Sequence, residues 1–225
     1  MSRPGSLQLW GGLFVIFPIF FQAPWVQYQP ISALAFTVVL ALLSFYLGQD
    51  TSSKWFTLGS LMAGVTGSWL GGCLFWGWLR MYPVFHIPVE SVVLPLAVLG
   101  LKTDWKIGAS FYLSSLLGTG ITDLTLLNAG IIDQWPKILN SSMEDARFLL
   151  LNIGEELLNV RAIISILFSM ILITLIARFM QNRSDDSSIT GKAWLVSSTV
   201  IKTTLLVDAL FLLTVLIEPR LSGLI

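Results

Sequence analysis

The residues that could do chemistry are few. Glu90, Asp123, Lys202 and Asp208 lie within or at the edge of long apolar stretches, and Arg80 and His86 flank a proline-rich one. An ionisable group held in hydrocarbon costs a few kcal/mol, so each needs a partner, a neutral form or a wet cavity. His86 and Glu90 are four residues apart. On one helix they would share a face and could hold a proton between them or bind a metal. Pro88 offers a competing reading. If it starts a helix, Glu90 falls near the third helical position, where a carboxylate meets free backbone N–H groups and the positive end of the dipole.

His86 is the only histidine, which excludes a bis-His haem or a His-rich zinc site within one chain. Single axial ligation of a pigment or haem at His86 stays open, but no second ligand is indicated, so no cofactor and no metal are expected. Cys73, the one cysteine, sits in an apolar run and reads as a small packed residue. Asp123, after Thr119, Gly120 and Thr122, is either solvated at an interface or engaged inside. Lys202 can snorkel to the interface. Asp208 cannot: it lies about 9 Å of rise from Lys202 and about 120° around the helix, so it must look to another helix. No nucleophile elbow, P-loop, dinucleotide fingerprint or paired metal motif is present, so no catalytic residue is assigned and the chain reads as non-enzymatic.

The elements that must position these groups are membrane helices. Hydrophobic residues make up 55% of the 225, charged residues only 12%, and mean hydropathy is +0.79. That composition predicts an all-α polytopic bundle of six to seven spans forming a single integral membrane domain over 1–225. Thirteen basic against thirteen acidic residues argue against a nucleic-acid partner. The expected spans run over 7–25, 31–47, 55–79, 82–101, 107–127, 162–179 and 193–217, the last ended by Glu218-Pro219-Arg220. Pro83, Pro88 and Pro95 predict that the fourth is broken at Ile87–Pro88, as a broken or partly re-entrant element. Residues 142–158 read as an amphipathic helix on the membrane surface, and 181–192 as a mobile polar loop.

Small residues recur at four-residue intervals. Gly59, Ala63, Gly67 and Gly71 form one row in the third span, beside Ser60, Gly64, Ser68 and Gly72. Ser110, Ser114, Gly118 and Thr122 form another in the fifth. In lipid, close backbone approach is what binds helices, so these rows are expected to be packing ridges, meeting each other or other helices.

Three stretches carry a resemblance: PIFFQAPWV (Pro18–Val26), GWLRMYPVFHIPVESVVLP (Gly77–Pro95) and FYLSSLLGTGITDL (Phe111–Leu124). Over about the first 130 residues the chain resembles a cyanobacterial family of polytopic membrane proteins described only as a domain of unknown function. The resemblance implies a thylakoid or plasma membrane and brings no reaction, ligand or catalytic residue. Two functional expectations follow. One is a protein acting by helix–helix contact in the bilayer, such as an accessory or assembly subunit near photosynthetic or respiratory complexes, with a membrane-protein partner. The other is a small-solute or ion transporter with a polar site at the fourth span.

Overall fold

The computed structural model describes residues 4–217, and every regular element in that range is helical. Six segments are long and apolar enough to cross a membrane: 6–28, 30–47, 56–79, 83–100, 160–182 and 189–217. The chain is an integral membrane protein. The expected end signal at Glu218-Pro219-Arg220 lies outside the described residues.

The first span consists of α1 (Pro4–Phe17), a π turn (Pro18–Gln22) and α2 (Ala23–Tyr28). Pro18 has no N–H for the helical ladder, and the ladder widens there instead of stopping. Then come α3 (Pro30–Leu47) and α4 (Phe56–Leu74), which continues through a second π turn at Phe75–Leu79. Trp69 ties these three spans. It is fully buried, its Nε1–H donates to the Ala33 carbonyl at 3.0 Å, and its own carbonyl accepts from Gln22 Nε2 at 2.5 Å. Gln22 also donates to Cys73 Sγ, so the cysteine is a packed acceptor as expected.

The fourth span is interrupted, but not at Ile87–Pro88. It runs from a 3₁₀ turn (Pro83–Phe85) into α5 (His86–Glu90), a second 3₁₀ turn (Ser91–Val93) and α6 (Leu94–Gly100). Pro88 is the third residue of α5, where its missing N–H would have had no partner anyway. The ladder changes at Pro95 instead. With no N–H on Pro95 to reach Ser91, the Leu94 N–H pairs with the Ser91 carbonyl, three residues back. Together these pieces make one 18-residue segment long and apolar enough to cross a membrane.

Helix α7 (Lys106–Ala129) is the least apolar of the long helices, and it is apolar enough for a span only together with the following segment, 132–140, which is bent from it by 88°. Its polarity follows from its position between α4, α11, α10 and α6. A helix shielded by other helices can carry Ser, Thr and Gly where lipid would demand leucine. Gly130 ends α7 in the left-handed conformation (φ +79°), its N–H returning to Leu127 and that of Ile131 to Leu126. A Cβ on Gly130 would meet nothing within 4 Å. Gly130→Ala is therefore expected to destabilise by about 1 kcal/mol through backbone strain alone, measurable as a lowered denaturant midpoint in detergent.

After α8 (Trp135–Asn140), α9 (Met143–Leu157) starts at an N-cap in which Ser142 Oγ accepts the Asp145 N–H at 3.2 Å. Its buried stripe, Ala146, Leu150, Ile153 and Leu157, packs against Leu126, Ile166, Leu212 and Val215, so α9 caps one end of the bundle. The last helices are α10 (Val160–Asn182) and α11 (Ile189–Ile217). Both extend into the polar stretch expected at 181–192, leaving a link of six residues. Asp185 there accepts the hydroxyl (2.5 Å) and N–H (3.0 Å) of Ser187, which hold its carboxyl below the ordinary 3.8. That contribution is present above pH 3.8 and is lost only as the pH falls through the lower folded value.

The small-residue rows are used within the chain. Helices α4 and α7 cross at Gly64 and Gly108: a Cβ on Gly64 would fall on the Gly108 carbonyl, and one on Gly108 on the Ser60 carbonyl. This pairing uses the neighbouring row of the third span, and in α7 a residue outside the expected row. The row Ser110, Ser114, Gly118 and Thr122 faces α11 instead. Ser197 Oγ reaches the Ser110 carbonyl at 3.5 Å, and a Cβ on Gly118 would lie 3.0 Å from Thr204. Gly59 lies against Leu47 and Gly48, Gly67 against Tyr112 and Val93, and Gly71 against the Glu90 backbone. Ala63 is half-buried beside a groove shared with Ala41, Ser44 and Trp105.

Candidate functional site

Helix α5 brings His86 and Glu90 to one face, as their spacing predicts, and turns that face toward α7. His86 Nε2 lies 3.3 Å from Glu90 Oε1, while Nδ1 lies 2.9 and 3.2 Å from the two carboxylate oxygens of Asp123. Among the described residues these are the only ion pairs. The reading that placed Glu90 at a helix N-terminus is corrected. Glu90 is the last residue of α5, and its carboxylate faces the imidazole. Asp123, rather than being merely solvated, is the partner that crosses from another helix.

The surroundings hold the ring in place. The second π turn sets Phe75 and Trp76 side by side, and the imidazole stacks on Phe75 at 4.1 Å with the edge of Trp76 beside it at 6.3 Å. Ile87 packs beside Gly120 of α7, at a distance where a Cβ would make an ordinary 3.7 Å contact with the isoleucine methyl. The Tyr112 hydroxyl donates to the Glu90 carbonyl, tying the end of α5 to α7. The three ionisable side chains are each 17–19% exposed, so they are mostly withdrawn from lipid tails without being sealed.

Arg80 does not join the cluster. It is half-buried, and its backbone carbonyl accepts from Trp135 Nε1 at 3.0 Å. Lys202 is exposed and donates to Gln181 Oε1 at 3.1 Å. Asp208 does look to another helix, accepting the Thr122 hydroxyl at 2.6 Å. Sequence reasoning did not pair His86 with Asp123, nor find Phe75, Trp76 and Gln22. Depth held a usable signal. His86 stands three residues after the start of its span and Asp123 six before the end of its own, which puts both near the α9 end.

Two surface depressions lie away from the cluster. One of about 400 Å³ at the opposite end is lined by Gln8, Gln181, Ser184, Asp185, Asp186 and Leu195; the other is the groove beside Ala63.

Hydrogen-bond inventory defines what the cluster can do. Protonated His86 donates to both carboxylates. Neutral His86 has one N–H and one lone pair, and the lone pair needs a protonated carboxyl opposite. Both patterns carry one net negative charge and the same protons. A proton can enter at Nε2 from Glu90 while another leaves Nδ1 for Asp123. The two carboxylates approach opposite edges of one ring, and no group of three His, Cys, Asp or Glu among the described residues converges on a metal position. With both nitrogens committed, axial ligation of a pigment or haem would first have to break a carboxylate contact.

A family model described as "Protein of unknown function (DUF3120)" matches residues 11–216. The chain belongs to that family. No curated protein and no solved structure matches the chain. The family match spans the whole cluster and continues past the first 130 residues through nearly all of α11.

Proposed function

We propose that this member of the family carries protons across its membrane, with Glu90, His86 and Asp123 as the relay. The observation that supports this is a single imidazole set between carboxylates on two different helices within the spans, hydrogen-bonded to Asp123 at Nδ1 and 3.3 Å from Glu90 at Nε2. Glu90 lies one helical turn, about 6 Å of rise, deeper than His86. The relay therefore runs inward from the α9 end. A proton needs no cavity, which suits a cluster closed in by Phe75, Trp76 and α7.

The reading as an accessory or assembly subunit rests on the absence of catalytic motifs and on the small-residue ridges. Those ridges are occupied inside the chain, Gly64 by Gly108 and Gly118 by Thr204, which lowers the support for a partner docking there. The resemblance over Pro18–Leu124 supports a cyanobacterial thylakoid or plasma membrane as the setting.

Purified protein in liposomes with a trapped pH dye tests the proposal. An imposed pH gradient is expected to collapse faster than in empty vesicles, and His86→Ala is expected to return the rate to that of empty vesicles. Equal rates for wild-type and empty vesicles would overturn it. Stoichiometric co-purification with a large complex from native membranes, with no proton flux, would restore the accessory reading.

A further inference from the structure

Among the described residues, Asp208 is the one carboxylate within the spans that has no cation beside it. It stands on α11, nine residues before the end of that helix, about 13 Å of rise from it. Among the described residues its one hydrogen-bond partner is Thr122, and Thr122 is over-subscribed. That hydroxyl lies 2.6 Å from Asp208 Oδ2 and 3.1 Å from the Gly118 carbonyl, yet it has one hydrogen for two acceptors. If Asp208 is ionised, Thr122 donates to it and leaves the Gly118 contact unmade. If Asp208 is protonated, its O–H donates to Thr122 Oγ1, and Thr122 donates onward to Gly118. Every group is then satisfied in the order Asp208, Thr122, Gly118. An unpaired carboxylate at this depth costs a few kcal/mol, which favours the protonated arrangement.

We infer that Asp208 and Thr122 form a second proton-binding site next to the His86 relay, Thr122 directly preceding Asp123 on α7. The proton is held as the Asp208 O–H. On release, the carboxylate forms, the proton leaves to water or to a neighbouring base, and the Thr122 hydroxyl rotates from Gly118 to Asp208. The helices packed on α11 define what acts on this site. From α7 come Asp123 and, at the far end, Lys106; from α10 come Arg161 and Arg178 near its two ends. Helix α9 carries Glu144, Asp145, Arg147, Glu155 and Glu156, α1 contributes no charged residue in 4–17, and Lys202 is turned to Gln181. Of these, Asp123 is the residue that directly follows Thr122 on α7. Two carboxylates flanking Thr122 disfavour simultaneous ionisation, so a proton arriving at one eases release from the other.

The inference rests on the proton-transport reading for its role, and its test reads the site directly. Infrared spectra of the purified protein are expected to show a protonated-carboxyl C=O band that fades as the pH rises. Asp208→Asn is expected to remove that band, and Thr122→Val to shift its frequency by removing the hydrogen bond. A spectrum of folded Asp208→Asn that superimposes on wild type at every pH would overturn the inference. Vesicle flux separates the two claims. A band present in protein that moves no protons leaves the site standing and sinks the transport reading. Unchanged flux in Asp208→Asn, with flux lost in His86→Ala, keeps transport and removes Asp208 from it.

Discussion

Gly108→Val is expected to leave no folded protein. At the α4–α7 crossing a Cβ on Gly108 would coincide with the Ser60 carbonyl, and the Gly108 N–H donates to Ser60 Oγ at 3.2 Å. The obstacle is backbone rather than the tip of a flexible side chain, so the helices would have to separate. Overpacking a core costs about 1–3 kcal/mol when side chains can yield, and more when they cannot. Separation would also unpack Leu61, Val65, Ile107 and Phe111, all at most 4% exposed. The measurement is the yield of monodisperse protein after detergent extraction. Gly154→Ala is the control, because its Cβ would stand an ordinary 3.6 Å from Val215 O. Wild-type yield for Gly108→Val would show that α4 and α7 do not cross here.

The second large effect is expected at Asp123, where two substitutions separate holding from relaying. Asp123→Ala removes the only side-chain tie from the imidazole to α7 and leaves the ring nitrogen facing nothing. Breaking a largely buried ion pair from one side costs about 3 kcal/mol. A lowered unfolding midpoint and lost proton flux are both expected. Asp123→Asn keeps an oxygen that accepts the Nδ1 hydrogen, but an amide does not take up the proton. It is expected to unfold near wild type while its flux falls to the level of empty vesicles. Flux retained in Asp123→Asn would remove Asp123 from the relay. Glu90→Gln is expected to unfold nearer wild type than Asp123→Ala, because its 3.3 Å contact is an i,i+4 pair within α5 and ties no second helix.

Much of the architecture was legible because lipid imposes length and apolarity on whatever faces it. Spans such as Pro30–Leu47 and Val160–Asn182 announce themselves by composition. Helix α9 was legible through its cap and its stripe, since Ser142 lies one residue before the helix and its buried residues recur at three and four. The fourth span misled because Pro88 was read as a breaker, when a first-turn position tolerates it. Pro95 did the re-routing. The face shared by His86 and Glu90 was legible as a spacing. Its junction with Asp123, 37 residues away, depends on how two spans tilt and dock, which local periodicity does not encode. The direction of each small-residue row was hidden for the same reason. A stripe of glycine and serine says that a close neighbour exists, while the choice of α11 over α4 is made by the whole bundle.

The modest apolarity of α7 bears on the order in which the bundle is built. During synthesis α4 emerges before α7, and α10 and α11 only afterwards. A helix this polar partitions poorly into lipid alone, so its early companion is the Gly64 face of α4. Until α11 follows, Ser110, Ser114 and Thr122 have no protein neighbour on that side. The nascent chain thus passes through an intermediate with an open polar seam, and Asp208 arrives among the last residues to close it. Membrane insertion and completion of the Thr122–Asp208 contact are then one event, finished by the same helix.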